Sequence, residues 1–378
     1  MYVKSKRVLF VATVVKTHIM QFHIPYLKMF KEMGYETAVA ARNDYEKSDD
    51  CCIPYCDHFF DIPFQREPFR YGNIQCYKKL KSIIDEGDFS IIHCHTPVGG
   101  VLGRLAARKA RKNGVHVMYT AHGFHFYNGA PIKNWLLFYP IEKLCSRFTD
   151  VLITINKEDY ALAQKKMKAK CVKYVPGVGV DLKKFGKSTI DKATKRRGLG
   201  IPEDSLVLLS VGELIIRKNH ETGISAVAGM DAYYLIAGDG VLRQQLQSKI
   251  DELGVGNKVK LLGYRNDVAD LYEAADIFVF PSFQEGLPVA VMEAMASGLP
   301  CVVSKIRGNT DLLENTEGGF LCDPPDASEF AEKLNILASN TELREKMGRN
   351  NLTVIQKFSI EALTNEMRKI YDAEVFDS

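Results

Sequence analysis

The chain lacks any apolar run approaching the roughly 20 residues that a membrane-spanning helix requires. Contact with a membrane is therefore expected to be peripheral. A signal peptide is not read either. Lys4-Ser5-Lys6-Arg7 and the run Val8–Val15 imitate one, but the run ends at Lys16 without a small-residue cleavage site. A disulfide framework is also missing: the cysteines number nine, an odd count at irregular spacing. Cys51, Cys52 and Cys56 crowd one stretch, and Cys94, Cys171 and Cys301 sit in apolar runs. That usage points to a reducing, cytoplasmic compartment. Cys51, Cys52, Cys56 and His58 match no common structural zinc spacing. No RNA-binding motif accompanies the basic residues, so nucleic acid is not expected as a partner.

What is present is length and a repeating pattern. A chain of 378 residues exceeds what one core usually fills, so two domains are expected. Apolar strands are predicted at 7–13, 36–41, 58–62, 90–94, 115–120, 150–155 and 171–175, with helices between them. The pattern restarts at 206–211, 232–237, 258–262, 277–280, 299–303 and 319–322. Alternation of this kind specifies α/β architecture, a doubly wound parallel sheet in each half. Boundaries are placed at 1–182, a basic connector at 183–200, a second unit at 201–355 and a C-terminal helix at 356–378. Charge is unevenly shared. Residues 1–200 carry 34 Lys+Arg against 18 Asp+Glu, a net of +16, while the whole chain is only +4. Either this is solvated surface, or the amino half meets an anionic partner such as lipid headgroups or a lipid diphosphate.

The most informative stretch is 280–300, FPSFQEGLPVAVMEAMASGLP. The run Ile277–Phe280 reads as a buried parallel strand. Pro288 suits a first helical turn, and Gly298 and Pro300 stop the helix predicted over 288–297. Glu285 then lies in a strand-to-helix loop, and Glu293 about a turn and a half down the helix. Each carboxylate can accept from a vicinal diol, and the N–H groups of Gly286 and Leu287 can face an anion between them. A nucleotide-diphospho-sugar offers a sugar diol and a ribose diol with the diphosphate between them. The plainer alternative is a solvated Glu285 and a Glu293 paired on the helix surface. After the strand 206–211, Gly212 lets the backbone approach a ligand, and Arg217 and Lys218 can neutralise a diphosphate. They can also be two surface cations beside a turn.

EGLPVAVME, set between a strand and a helix, resembles the retaining family-4 glycosyltransferases of the two-Rossmann-domain (GT-B) type. In the amino half FHIPYLKMFKEMGYE, IIHCHTPVGGVLGRLAARKA and YTAHGFHFYNGAPIKNWLLFYPIEK resemble bacterial members that build exopolysaccharide, capsule or O-antigen. The resemblance implies two facing domains with a cleft, and a tail helix that crosses back to the amino domain. It implies Glu285 on the donor sugar, Glu293 on the ribose, Arg217 and Lys218 on the diphosphate, and His122 beside the reacting carbon. Gly238, Leu262, Gly263 and Tyr264 would shape the base pocket, with turn packing the equal alternative. No Asp-x-Asp motif of the metal-bound transferases is present, and no metal or cofactor beyond the donor is expected.

The first strand-to-helix loop lacks the glycine pair that many relatives carry. Lys16, Thr17 and His18 are taken as acceptor-side substitutes, with His95 lining the cleft and His93 packing. Arg104, Arg108 and Arg111 fall on one face of a helix predicted over Gly99–Asn113 and read as a basic docking face or as solvated charge. The implied activity is transfer of a hexosyl or N-acetylhexosaminyl group from a UDP-sugar to a lipid-linked saccharide. A nucleotide-sugar 2-epimerase and a non-catalytic nucleotide-sugar-binding partner are the alternatives.

Overall fold

In the computed structural model, residues 5–67, 70–186, 190–313 and 317–376 are described. The chain divides into two compact units: unit 1 is Met1–Val178 with Leu363–Ser378, and unit 2 is Gly179–Ala362.

The seven strands of unit 1 are β1 (Arg7–Val14), β2 (Glu36–Arg42), β3 (His58–Asp61), β4 (Ile91–His95), β5 (His116–Ala121), β6 (Val151–Thr154) and β7 (Cys171–Tyr174). They pair in the order β3-β2-β1-β4-β5-β6-β7, and each pair is parallel. The run of β1 is buried along nearly its whole length, as a strand covered on both faces must be. Unit 2 repeats the plan with β8 (Val207–Val211), β9 (Tyr233–Ala237), β10 (Val259–Gly263), β11 (Ile277–Phe280), β12 (Cys301–Ser304) and β13 (Gly319–Cys322). Their order is β10-β9-β8-β11-β12-β13.

The order reverses direction between β1 and β4 in one sheet and between β8 and β11 in the other. Loops leaving the carboxyl ends of such neighbouring strands diverge to opposite faces, and the gap between them is where ligands bind in doubly wound sheets.

The basic connector read at 183–200 carries structure of its own inside unit 2, with residues 187–189 outside the described residues. Helix Lys192–Gly198 packs by ion pairing: Lys195 to Asp267, and Arg196 to Asp276 at 2.7 Å. The tail helix Ile360–Tyr371 ends in unit 1, where the Tyr371 hydroxyl meets His93 Nδ1 at 2.6 Å and Thr120 Oγ1 holds Nε2 at 2.9 Å.

The proposed basic face on 99–113 is corrected. That segment is two helices, Pro97–Ala106 and Arg108–Lys112. Arg104 is fully buried against Glu142, and Arg111 pairs with Asp150. Carboxylates from other elements take the charge of Arg104 and Arg111, while Arg108 lies over the Phe148 ring at 5.2 Å.

Candidate active site

Both switch points are lined by polar side chains. In unit 2, the loop after β8 forms a short 3-10 turn, Ile216–Lys218, and Asn219 follows in left-handed conformation at φ 53°. Its amide locks this loop by donating to the carbonyls of Pro281 and Pro324. The loop after β11 answers with Ser282 and Glu285. The Glu285 carboxylate is buried and accepts from Arg217 Nη1 (2.8 Å), Lys218 Nζ (2.8 Å) and Ser282 Oγ (2.7 Å). Burial pushes Glu285 upward in pKa, but Lys218 and Arg217 outweigh it and leave the group below its ordinary value. It is an ionised carboxylate between two cations. Lys218 also lies over the Phe280 ring at 4.6 Å. Arg307 fixes the loop from behind, donating to the Glu285 carbonyl at 2.9 Å.

Helix Val289–Ala296 follows, with Pro288 at its N-cap, and Gly298 ends it at φ +72°. Glu293 sits along this helix and accepts from the Tyr272 hydroxyl at 3.0 Å. Burial raises it to about 7, with Tyr272 and Lys184 opposing. The two glutamates thus differ: one is held ionised, the other titrates near neutrality.

Gly212, Gly238 and Gly263 terminate or follow three adjacent strands. Gly238 donates to the Gly263 carbonyl at 2.9 Å, and Gly212 to Ala237 at 2.9 Å. Gly238 has φ +149°, and a Cβ there would run into the Gly212 carbonyl. Gly308 (φ +80°) is equally confined, because a Cβ there would run into the Gly286 carbonyl. Leu287 is buried, Leu262 half-buried, and Tyr264 is 77% exposed.

In unit 1, the end of β4 and the loops after β1 and β5 bring four histidines together. Nitrogens of His18, His23, His95 and His122 lie within 4.8 Å of one another. His122 Nε2 is 3.5 Å from His95 Nδ1, and the His18 and His122 rings meet edge to face at 4.7 Å. Burial pushes His122 down to about 4 and His18, His23 and His95 well below their ordinary value, so all are neutral near pH 7. Neutral imidazoles are a transition-metal donor set. Nitrogens sharing one tetrahedral zinc lie roughly 3.3 Å apart; here one pair is at 3.5 Å and all lie within 4.8 Å. Of the acceptor-side set, His18 and His95 are brought together, with His122, the residue expected beside the reacting carbon, against them. Lys16 and Thr17 sit on the outer side of the same turn, held by Asp44 at 2.6 and 3.3 Å. Thr96, at φ 62°, is a β-branched residue in a region such residues avoid. Its hydroxyl meets that of Thr13 at 2.7 Å, bracing β4 against β1.

Sequence reasoning missed Ser282, Arg307, Thr96 and the role of His23. Ser282 could have been found as the hydroxyl three residues before Glu285 in the same loop. The others have no local signal.

Two doubly wound units, each carrying polar groups at its switch point, define a GT-B glycosyltransferase architecture. The profile described as "Glycosyl transferases group 1" matches residues 191–353, and "Glycosyl transferase 4-like" matches residues 7–156. The chain belongs to the family-4 glycosyltransferases. It is 39% identical over 376 residues to the putative glycosyltransferase EpsD of Bacillus subtilis (strain 168), covering 98% of this chain and 97% of that one. It is 31% identical to the Escherichia coli UDP-Gal:alpha-D-GlcNAc-diphosphoundecaprenol alpha-1,3-galactosyltransferase, covering 79% and 81%. Among solved structures, Anabaena Alr3699/HepE in complex with UDP and glucose superimposes with a TM-score of 0.81 at 21% identity, covering 97% of this chain and all of that one.

Proposed function

We propose that unit 2 binds a UDP-sugar and that the sugar passes, with retention at the anomeric carbon, to a lipid-linked saccharide bound by unit 1. The observation that carries this is Glu285 held between Arg217 and Lys218 at the β8/β11 switch point. Support for the donor and acceptor comes from the Escherichia coli relative, whose name specifies UDP-galactose and a diphosphoundecaprenol-linked acceptor, and from HepE, whose solved structure holds UDP and glucose.

In this reading the diphosphate takes Arg217 and Lys218 as its counter-charges, and Glu285 accepts from hydroxyls of the donor sugar. Negative charge grows on the leaving diphosphate as the bond from the anomeric carbon breaks, so fixed cations lower the barrier most there. The acceptor oxygen forms its bond on the same face, and its proton goes to a leaving phosphate oxygen. Glu293 holds the ribose diol, and His122 offers a neutral imidazole to the substrate. A lipid-linked acceptor would bring the enzyme to a membrane surface; among the described residues no helix is long and apolar enough to cross one.

A thermal-shift screen of UDP-, GDP-, ADP- and dTDP-sugars tests the donor. UDP-sugars at about 100-fold over Kd should add about 2.7 kcal/mol of apparent stability. A larger shift with any other base overturns the assignment. Glu293 supplies a pH test. The ribose contact needs the carboxylate, so affinity is present above about 7 and lost below it. UDP-glucose affinity by calorimetry should fall up to about tenfold per pH unit below that point. The Glu293→Gln variant should be weak and flat across the same range; a wild-type profile without the inflection refutes ribose contact.

A further inference from the structure

Helix Ile132–Ser146 is oriented against expectation. Its outward side bears Ile132 (77% exposed), Leu136 (73%), Leu137 and Leu144, all of them exposed. At about 100° per residue these four share an arc of roughly 140° with Lys133, Pro140, Lys143 and the following Arg147. No carboxylate falls in that arc; Glu142 faces inward, where Arg104 takes it at 2.8 Å. Exposed apolar residues interleaved with cations, and free of acids, complement an anionic lipid surface rather than water.

The inward side of the same helix walls a mostly apolar, partly open cavity of about 110 Å³, lined by Val101, Leu102, Phe124, Phe126, Phe138 and Ile141, with Glu142 also on its wall. A dry cavity of about 150 Å³ takes benzene, so this one suits about one branched five-carbon unit. Its wall includes the 123–126 segment that leaves His122. Asn134 and Trp135 tie the helix to that segment and its continuation, donating to the carbonyls of His125 (2.9 Å) and Tyr127 (3.3 Å).

We propose that this cavity takes the isoprenoid hydrocarbon of the acceptor's lipid while the outward face of the helix rests on an anionic membrane. This rests on the lipid-linked acceptor proposed above, and it assigns the lipid a binding site. Trp135 is the single tryptophan of the chain and its ring lies 5.6 Å from that of Phe126, tilted by 58°, so its emission reports this place.

Farnesyl diphosphate titrated into the full chain should change Trp135 emission saturably, and inorganic diphosphate at equal concentration should not. Val101→Phe, which fills the cavity, should weaken the farnesyl response at least tenfold while leaving the UDP-glucose thermal shift unchanged. If that variant does not fold, Ile141→Phe fills it from the other wall. Leu136→Glu should cut co-sedimentation with phosphatidylglycerol/phosphatidylcholine vesicles at least fivefold and leave the farnesyl response intact. No farnesyl response, one matched by inorganic diphosphate, or one unchanged in both filled variants overturns the proposal. So does vesicle binding without a farnesyl response. Loss of the UDP-glucose shift in the wild type beside an intact farnesyl response sinks the donor reading of unit 2 and upholds the cavity.

Discussion

Glu285→Gln is expected to lower kcat/KM for sugar transfer by about 10²–10³, the scale seen when one preorganised polar contact to a transition state is removed. The substitution keeps the volume of the side chain and removes only its charge. Three short hydrogen bonds converge on the carboxylate, from Arg217, Lys218 and Ser282. A neutral amide holds the two cations less firmly and accepts from sugar hydroxyls without charge assistance. Affinity for free UDP should stay within about threefold, because in the proposed complex the diphosphate meets Arg217 and Lys218 rather than Glu285. Breaking a buried ion pair can cost about 3–5 kcal/mol of stability, but the Arg217 side chain is 40% exposed and can turn to water, and the amide oxygen still accepts from Lys218, which is 13% exposed. The melting temperature should therefore fall by less than full loss of the pair would give. Released UDP measured at saturating donor and acceptor checks the first expectation, and calorimetry with UDP the second. Turnover within threefold of wild type would remove Glu285 from the donor site.

Much of this arrangement was legible beforehand, for a definite reason. A parallel strand covered on both faces must be a continuous apolar run, so β1, β8 and β11 announce themselves in sequence. Once strands and helices alternate, loops at the carboxyl ends of β8 and β11 are the natural place for Arg217, Lys218 and Glu285. What stayed hidden was partnership. The sequence places Arg217 and Glu285 sixty-eight residues apart, and nothing local says that they touch. Nor does it say that His18, His95 and His122, leaving three different strands, converge while Lys16 and Thr17 face away. Arg104 shows the same limit in reverse. Its helical spacing matched Arg108 and Arg111, yet spacing reports a face and not what covers it.

That buried cation carries the largest stability effect expected in the molecule. Arg104 is fully buried, with its guanidinium 3.8 Å from the centre of the Tyr119 ring. Nε donates to the Gly100 carbonyl at 2.7 Å and Nη2 to Glu142 at 2.8 Å. Burial alone would ease its proton off, but Glu142 more than offsets this and the group is raised instead. Glu142→Ala leaves the cation in place without its counter-charge, which costs about 3–5 kcal/mol. At about 2–4 °C per kcal/mol for a unit of this size, melting should fall by about 10 °C. The pair also joins helix Ile132–Ser146 to helix Pro97–Ala106, so the loss should appear as early opening of unit 1 in hydrogen exchange. Added salt should not rescue it, because the site is closed to counter-ions. Arg104→Met combined with Glu142→Leu should recover most of the lost stability, since two apolar side chains of similar volume carry no desolvation penalty. A Glu142→Ala protein melting within about 2 °C of wild type would show that water reaches Arg104, and the double variant would then have nothing to restore.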